Sequence, residues 1–252
     1  MRINKFLAKC SLGSRRAVEK LILKGEISVN GKIIKNLATQ IDTEKDKVFY
    51  NNKLLKIHQE NVYIIVNKPA KYLVTTKDPY NRKTIFDLLP NFSNGINQRL
   101  FPVGRLDYKS EGLLLLTNDG EFANQIIHPK YKLEKVYKVK VKGKIDNRSL
   151  WLLRKGIDLD GKKTLPAKVF INSYNPKNDI TSMKITIYEG RNRQIRRMVK
   201  SIGFNVLALK RVQIGGVNLG NLPVGAWRFM KHKEIRRLMS EKHSAKCDYK
   251  SR

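Results

Sequence analysis

Pro102-Val103-Gly104-Arg105-Leu106-Asp107-Tyr108-Lys109-Ser110-Glu111-Gly112 runs directly into Leu113-Leu114-Leu115-Leu116 and then Thr117-Asn118-Asp119-Gly120. A polar loop is thus bracketed by two glycines and held by apolar sequence on both sides. Loops anchored on rigid elements are where reactive residues concentrate. Asp107 is a carboxylate flanked by Arg105 and Lys109, and nearby positive charge favours its ionised form. By residue type alone, an aspartate in such a loop is more often a capping residue than a nucleophile.

Outward from this loop, strands and helices mix. Val62 to Val66, Leu113 to Leu116, Val136 to Val141, Lys168 to Ile171, Ile180 to Tyr188 and Val206 to Val212 are strand candidates. Met183, Ile185 and Ile187 alternate with polar residues, the period of a half-buried strand. Thr84 to Leu89, Glu121 to Ile127 and Arg148 to Arg154 read as helices. The order does not alternate regularly, so the expected class is α+β with a mixed, largely antiparallel sheet rather than a doubly wound one.

A further helix opens near Arg193. Ile195, Met198, Val199 and Ile202 share one face, while Arg193, Arg196, Arg197 and Lys200 repeat on the other. A charged face is ordinarily just solvated. Here every charge is positive and Glu189-Gly190-Arg191-Asn192 leads in with a further cation, so the row suits a phosphate-bearing partner.

The first 58 residues read as a separate module. Ile3, Phe6, Leu7 and Cys10 fall at helical spacing, as do Ala17, Val18, Leu21 and Ile22. Ser14 is placed to cap the second helix and Gly25 to end it. Asn30-Gly31 between Ile27-Ser28-Val29 and Lys32-Ile33-Ile34 predicts a tight hairpin. Arg2, Lys5, Arg15, Arg16, Lys20 and Lys24 make the module basic. Residues 1–60 carry 13 Lys and Arg against 6 Asp and Glu. A polar stretch at 58–61 separates it from a second domain over 62–238. Residues 231–252, rich in Lys and Arg, read as frayed, with 239–252 a basic tail.

The whole chain of 252 residues holds 52 Lys and Arg against 21 Asp and Glu, a formal net charge of +31. Such an excess repels itself in the compact state unless a polyanion offsets it. No apolar run approaches the ~20 residues that span a bilayer, and Lys9 interrupts the first apolar stretch too early for an export signal. Cys10 and Cys247 stand far apart among four histidines, a pattern that suits reduced thiols better than a disulfide or a zinc site. A cytoplasmic protein without a metal is expected, and a monomer, since no spare apolar surface is evident.

Together these segments resemble the pseudouridine synthases, specifically the branch that modifies ribosomal RNA and carries an N-terminal S4-type RNA-binding domain. Arg2-Ile3-Asn4-Lys5-Phe6-Leu7-Ala8, Ser14-Arg15-Arg16 and Val29-Asn30-Gly31 are similar to the S4 module, and Asn67-Lys68-Pro69 to the opening strand of the catalytic domain. Gly104-Arg105-Leu106-Asp107 with Glu111 to Gly120 is similar to the catalytic motif, Lys135-Val136-Tyr137 to the tyrosine-bearing strand, and Glu189 to Met198 to the arginine-bearing segment. The resemblance implies that Asp107 is the catalytic aspartate, that Tyr137 stacks on the target uracil and that Arg196 pairs with Asp107. It also implies that Arg105 holds the flipped nucleotide or fills the space it leaves. Lys109, Arg193, Arg197 and Lys200, with the basic residues of the first module, would meet the RNA.

The implied reaction isomerises uridine to pseudouridine with no cofactor. The implied partner is ribosomal RNA, 23S before 16S, or ribosome-assembly intermediates, and no membrane. Lys109-Ser110 departs from the acid and threonine that relatives more often show, which affects fine substrate preference rather than Asp107. The rival reading is a non-catalytic rRNA-binding or assembly protein that keeps the fold.

Overall fold

The computed structural model describes residues 1–57, 60–76, 78–90 and 100–240. The chain forms two compact units, one on Met1–Val62 and a larger one on residues 63–90 and 101–240. In the first, helices α1 (Ile3–Lys9) and α2 (Arg15–Leu23) precede strands β1 (Ile27–Val29), β2 (Lys32–Ile33), β3 (Val48–Tyr50) and β4 (Lys53–Leu54), in sheet order β2-β1-β3-β4. Ser14 caps α2, its hydroxyl oxygen accepting from the Ala17 N–H at 3.1 Å. Asn30 and Gly31 both take the positive φ (50° and 81°) that a two-residue turn of matching twist requires. Asn51-Asn52 does the same between β3 and β4, a second hairpin that the sequence reading missed.

Ile3, Phe6, Leu7, Val18, Ile22, Ile27 and Val48 close the first core. Cys10 sits at its edge, and burial pushes its thiol up to about 11.

The second unit contains β5 (Tyr63–Lys68), β6 (Phe101–Val103), β7 (Glu111–Thr117), α3 (Gly120–Ile127), β8 (Lys135–Lys142), α4 (Asn147–Lys155), β9 (Asp158–Leu159) and β10 (Lys162–Lys163). It continues with β11 (Lys168–Asn175), β12 (Ile180–Ile187), α5 (Gln194–Ser201), β13 (Asn205–Ile214), β14 (Val217–Asn218), β15 (Trp227–Phe229) and α6 (His232–Ser240). The main sheet runs β11-β12-β8-β13-β7-β5-β15, with β14 on β13 and β6 on β7. Its strand pairs are antiparallel except β7 with β13, which is parallel at Lys210↔Glu111 and Arg211↔Gly112. The expected α+β class with a largely antiparallel sheet is therefore the observed one.

Strands β5 and β7 are buried along nearly their whole length. This explains why both read as unbroken apolar runs rather than as alternation. On them pack Phe122 and Ile126 of α3 and Leu238 of α6, with Ile65, Leu113, Leu115 and Met230. Helix α3 starts where Asp119 accepts from the Glu121 and Phe122 N–H groups (2.9 and 3.2 Å), and the Tyr63 hydroxyl donates to the same carboxylate at 2.9 Å.

Two expectations need correction. Thr84 to Leu89 is not an α-helix but a single 3₁₀ turn over Ile85–Leu88. Pro90 drives Leu89 into extended geometry (φ −94°, ψ 143°) and stops the helix there. Residues from 231 onward are not frayed up to 240. Helix α6 buries Leu238 (3% exposed), and Arg228 grips Glu234 through two hydrogen bonds of 2.8 and 2.7 Å. The tail expected from 239 lies, beyond 240, outside the described residues.

Candidate active site

The loop after β6 is shaped by its two glycines, with φ of +73° at Gly104 and +103° at Gly112. Between them the Ser110 N–H donates to the Asp107 carbonyl at 3.0 Å, closing a tight turn. A buried lysine that the sequence reading did not single out anchors this turn. Lys68, at the end of β5, is wholly shielded from solvent. Its ammonium donates to the Pro69 and Ser110 carbonyls at 2.8 Å each and reaches the Tyr108 carbonyl at 3.5 Å. The Lys71 N–H adds a bond of 2.7 Å to the same Tyr108 carbonyl. Carbonyls accept such charge-assisted bonds strongly, so the backbone around Asp107 is fixed from below.

Burial pulls the Lys68 ammonium down to about 8, with Glu111 and then Asp107 opposing the shift. Between there and the ordinary lysine value the unfolded chain binds more protons than the folded one, so this group makes stability rise with pH across that window. The stability advantage of wild type over Lys68→Met should therefore widen as pH rises from about 8 towards 10. Denaturant unfolding of both proteins at several pH values checks this, and a constant difference would contradict the burial.

Asp107 opens into a cavity of about 310 Å³ lined by Arg105, Tyr137, Lys135, Arg193, Arg211 and the turn before α5. Its side chain is 28% exposed, and Arg196 Nε lies 3.9 Å from Oδ2. That is an ion pair without a hydrogen bond. The same guanidinium donates to the Lys109 carbonyl at 3.1 Å and the Val206 carbonyl at 3.3 Å. Arg196 thus ties α5 and β13 to the Asp107 loop. Burial and the neighbouring Arg193 make its cation less favourable than usual, and Asp107 counteracts them.

A second carboxylate, Glu189, also lines the cavity. It is fully engaged: Oε1 accepts from the Leu165 N–H and from Gln194 Nε2 at 2.9 Å each, and Oε2 from Arg191 Nε at 3.2 Å. Arg191 in turn donates to the Lys162 and Lys163 carbonyls. Glu189, Arg191 and Gln194 shape the turn into α5, and Asp107 is left as the carboxylate with room to react.

The structure brings Asp107, Arg105, Tyr137, Arg193 and Arg196 to one unit and one region. Tyr137 is buried (7% exposed) yet faces the cavity, and Arg105 and Arg193 are exposed at its rim. Lys109 and Lys200 are exposed outside the cavity wall. Arg197 does not stand free as the helical spacing suggested. It pairs with Asp160 of the β9–β10 hairpin, an exposed contact of the kind worth about 0–1 kcal/mol. In the first unit Arg2, Arg15, Arg16 and Lys20 are exposed, and Lys5 is half-buried.

The sequence reading also missed Lys135 and Arg211. Arg211 is 3% exposed, donates from Nε to the Leu113 carbonyl at 2.7 Å, and leaves Nη2 buried without a hydrogen bond among the described residues. Burial, and then the charge of Arg211, bring the Lys135 ammonium down to about 8. Lys135 opens β8 and Arg211 follows Lys210 within β13, so neither stands apart in sequence from the lysines near it.

The site therefore gathers a loop-borne carboxylate, the guanidinium of Arg196 from α5 and the buried ring of Tyr137 from β8 beside one mixed sheet. The RNA pseudouridylate synthase family model matches residues 62–201, and the S4 domain model matches residues 1–56. The chain is 44% identical to an uncharacterized RNA pseudouridine synthase of Aquifex aeolicus, over 94% of this chain and 93% of that one. It is 42% identical to ribosomal large subunit pseudouridine synthase B of Bacillus subtilis, over 94% and 95%. A crystal structure of a pseudouridylate synthase superposes with a TM-score of 0.68 at 32% identity, covering 94% of this chain and 99% of that one. The chain belongs to the RNA pseudouridylate synthase family and carries an S4 domain at its N-terminus.

Proposed function

We propose that this protein converts uridine to pseudouridine in ribosomal RNA, in the large-subunit (23S) molecule, with Asp107 as the catalytic carboxylate. The observation that carries this reading is the state of the two cavity carboxylates: Glu189 is saturated by donors, while Asp107 faces open space beside Arg196. The large-subunit assignment follows the Bacillus subtilis relative's name.

The uridine must leave its stack, at a cost of roughly a few kcal/mol. Stacking on Tyr137 returns about 1–3 kcal/mol, and Arg105 at the rim holds the flipped nucleotide or fills its place. Inside, the C1′–N1 bond breaks with its electron pair going to the base. The base turns while held, C5 bonds to C1′, and C5 loses a proton while N1 gains one. Atoms and electrons balance without an oxidant or a net water, so no cofactor is called for. Arg196, 3.9 Å from the Asp107 carboxylate, holds that group in place for its attack. Arg193 and Lys109 sit where RNA phosphates approach, with Lys200 further along α5.

Residues 1–58 are assigned to capture of the RNA. Their removal should weaken half-saturation about tenfold or more, through lost phosphate contacts, while single-turnover rates at saturating RNA stay within about threefold. A collapse in rate at unchanged affinity would contradict that division of labour. A cytoplasmic setting fits the bacterial relatives, and among the described residues no helix is long and apolar enough to cross a membrane. Mapping pseudouridines in ribosomal RNA from a strain lacking the gene tests the whole reading. One or more 23S positions should revert to uridine. A loss confined to 16S RNA would overturn the large-subunit assignment, and an unchanged map the function.

A further inference from the structure

Strand β8 reads Lys135-Val136-Tyr137-Lys138-Val139-Lys140-Val141-Lys142. Tyr137, Val139 and Val141 are buried, whereas Lys138, Lys140 and Lys142 are exposed. Because side chains alternate across a strand, these three lysines stand on the sheet face opposite to the one on which Tyr137 lines the cavity. In register, Lys138 lies opposite Lys184 of β12 on one side and Lys210 of β13 on the other. Lys184 in turn lies opposite Phe170 of β11.

One row across four adjacent strands is therefore Phe170, Lys184, Lys138, Lys210. Neighbouring strands are only about 4.8 Å apart, and like charges directly opposite each other destabilise a sheet. No ion pair joins Lys138, Lys140 or Lys184 to a carboxylate among the described residues. Lys142, at the strand end, is 3.6 Å from Asp179. Phe170 is 54% exposed, with the Lys184 ammonium 5.9 Å from its ring centre. A row of lysines in mutual repulsion, ending on an exposed aromatic ring, is unfavourable for folding alone and complementary to a polyanion that also offers flat bases.

We propose that this face is a second RNA-docking surface. It takes the phosphodiester backbone of a single-stranded segment of the same substrate RNA, away from the target nucleotide. Lys138, Lys140 and Lys184 contact phosphates, and Phe170 stacks a base. The inference rests on the RNA-modifying function proposed above. Since the face is turned away from the cavity, a long rRNA fragment reaches both places and a minimal stem-loop carrying the target uridine reaches the cavity alone.

The test is the full chain carrying Lys138→Gln, Lys140→Gln and Lys184→Gln together. These side chains are exposed, and relief of repulsion should leave the melting temperature unchanged or raised. On a long rRNA fragment, affinity should fall about tenfold or more near physiological salt. The slope of log K against log salt should flatten by about 2, at roughly 0.7 per single-strand phosphate contact. Single-turnover rate and affinity on the minimal stem-loop should stay within about twofold. Phe170→Leu should weaken long-fragment binding without changing the salt slope, as expected for stacking. Unchanged affinity and slope on the long fragment would overturn the proposal. So would an equal loss on the stem-loop, which would assign these lysines to the cavity's own RNA path. Wild-type protein that binds the long fragment but forms no pseudouridine would sink the proposed function, while the slope comparison would still decide the docking surface.

Discussion

Asp107→Asn should leave RNA affinity within a few-fold of wild type and abolish detectable pseudouridine formation, a loss of at least about 10⁴-fold or more than about 5 kcal/mol of barrier. Asparagine keeps the shape of the side chain, and the loop around it is held by bonds that do not involve its carboxylate. Lys68 grips the Pro69 and Ser110 carbonyls, Lys71 the Tyr108 carbonyl and Arg196 the Lys109 carbonyl. What is lost is the charge. An amide cannot serve as the anionic group that attacks the base or the sugar, and Arg196 is left with a neutral neighbour where it faced an anion at 3.9 Å. Binding is preserved because removing a negative charge from a cavity rimmed by Arg105 and Arg193 opposes no RNA contact. Single-turnover assays at saturating RNA, with filter-binding affinities beside them, separate the two effects. Turnover within tenfold of wild type would remove the carboxylate from the chemistry and return the chain to the status of a binder.

The sequence made the buried strands legible because two-sided burial demands unbroken apolar residues, as in Ile64 to Val66 and Leu113 to Leu116. It made the first hairpin legible because Asn30-Gly31 is a strong local signal. Asn51-Asn52 uses the same left-handed backbone in two successive residues, but without a glycine it did not stand out. The α5 cations show a deeper limit. Helical spacing places Arg196 and Arg197 side by side on one charged face, yet their partners come from remote segments. Arg196 reaches Asp107 and the Lys109 carbonyl, while Arg197 reaches Asp160. Spacing fixes the direction in which a side chain leaves the helix, and only the packed sheet supplies what it meets. Lys68 and Arg211 were hidden for the same reason, since a cation inside a strand acquires a purpose only from the carbonyls that strand crossing brings to it.

The second large effect concerns Gly112, and its neighbour Gly104 supplies the control. Both have positive φ, so a side chain at either position adds backbone strain of about 1–2 kcal/mol. At Gly104 a Cβ would find open space, the nearest atom being Ile127 Cγ1 at 3.9 Å, and Gly104→Ala should cost no more than that strain. At Gly112 a Cβ would fall 2.1 Å from the Arg211 carbonyl oxygen and 2.8 Å from its nitrogen. Those are backbone atoms of the neighbouring parallel strand, which no rotamer change can move aside. Relief requires β7 and β13 to separate at Arg211↔Gly112, one of the two register pairs that join them. Overpacking of this kind adds about 1–3 kcal/mol to the strain, so Gly112→Ala should destabilise by about 2–5 kcal/mol. In a chain of this size that lowers the melting temperature by roughly 10 °C. Activity should fall further than stability alone explains, even at temperatures where the variant is folded. The displaced strands carry the Leu113 carbonyl that holds Arg211 at 2.7 Å and, near the start of β13, the Val206 carbonyl that holds Arg196. Thermal melts of Gly104→Ala and Gly112→Ala, with single-turnover rates measured well below both transitions, read the two effects separately. Equal stability of the two variants would mean that the β7–β13 junction is not the close contact described, and with it the link from the sheet to the Asp107 site would fail.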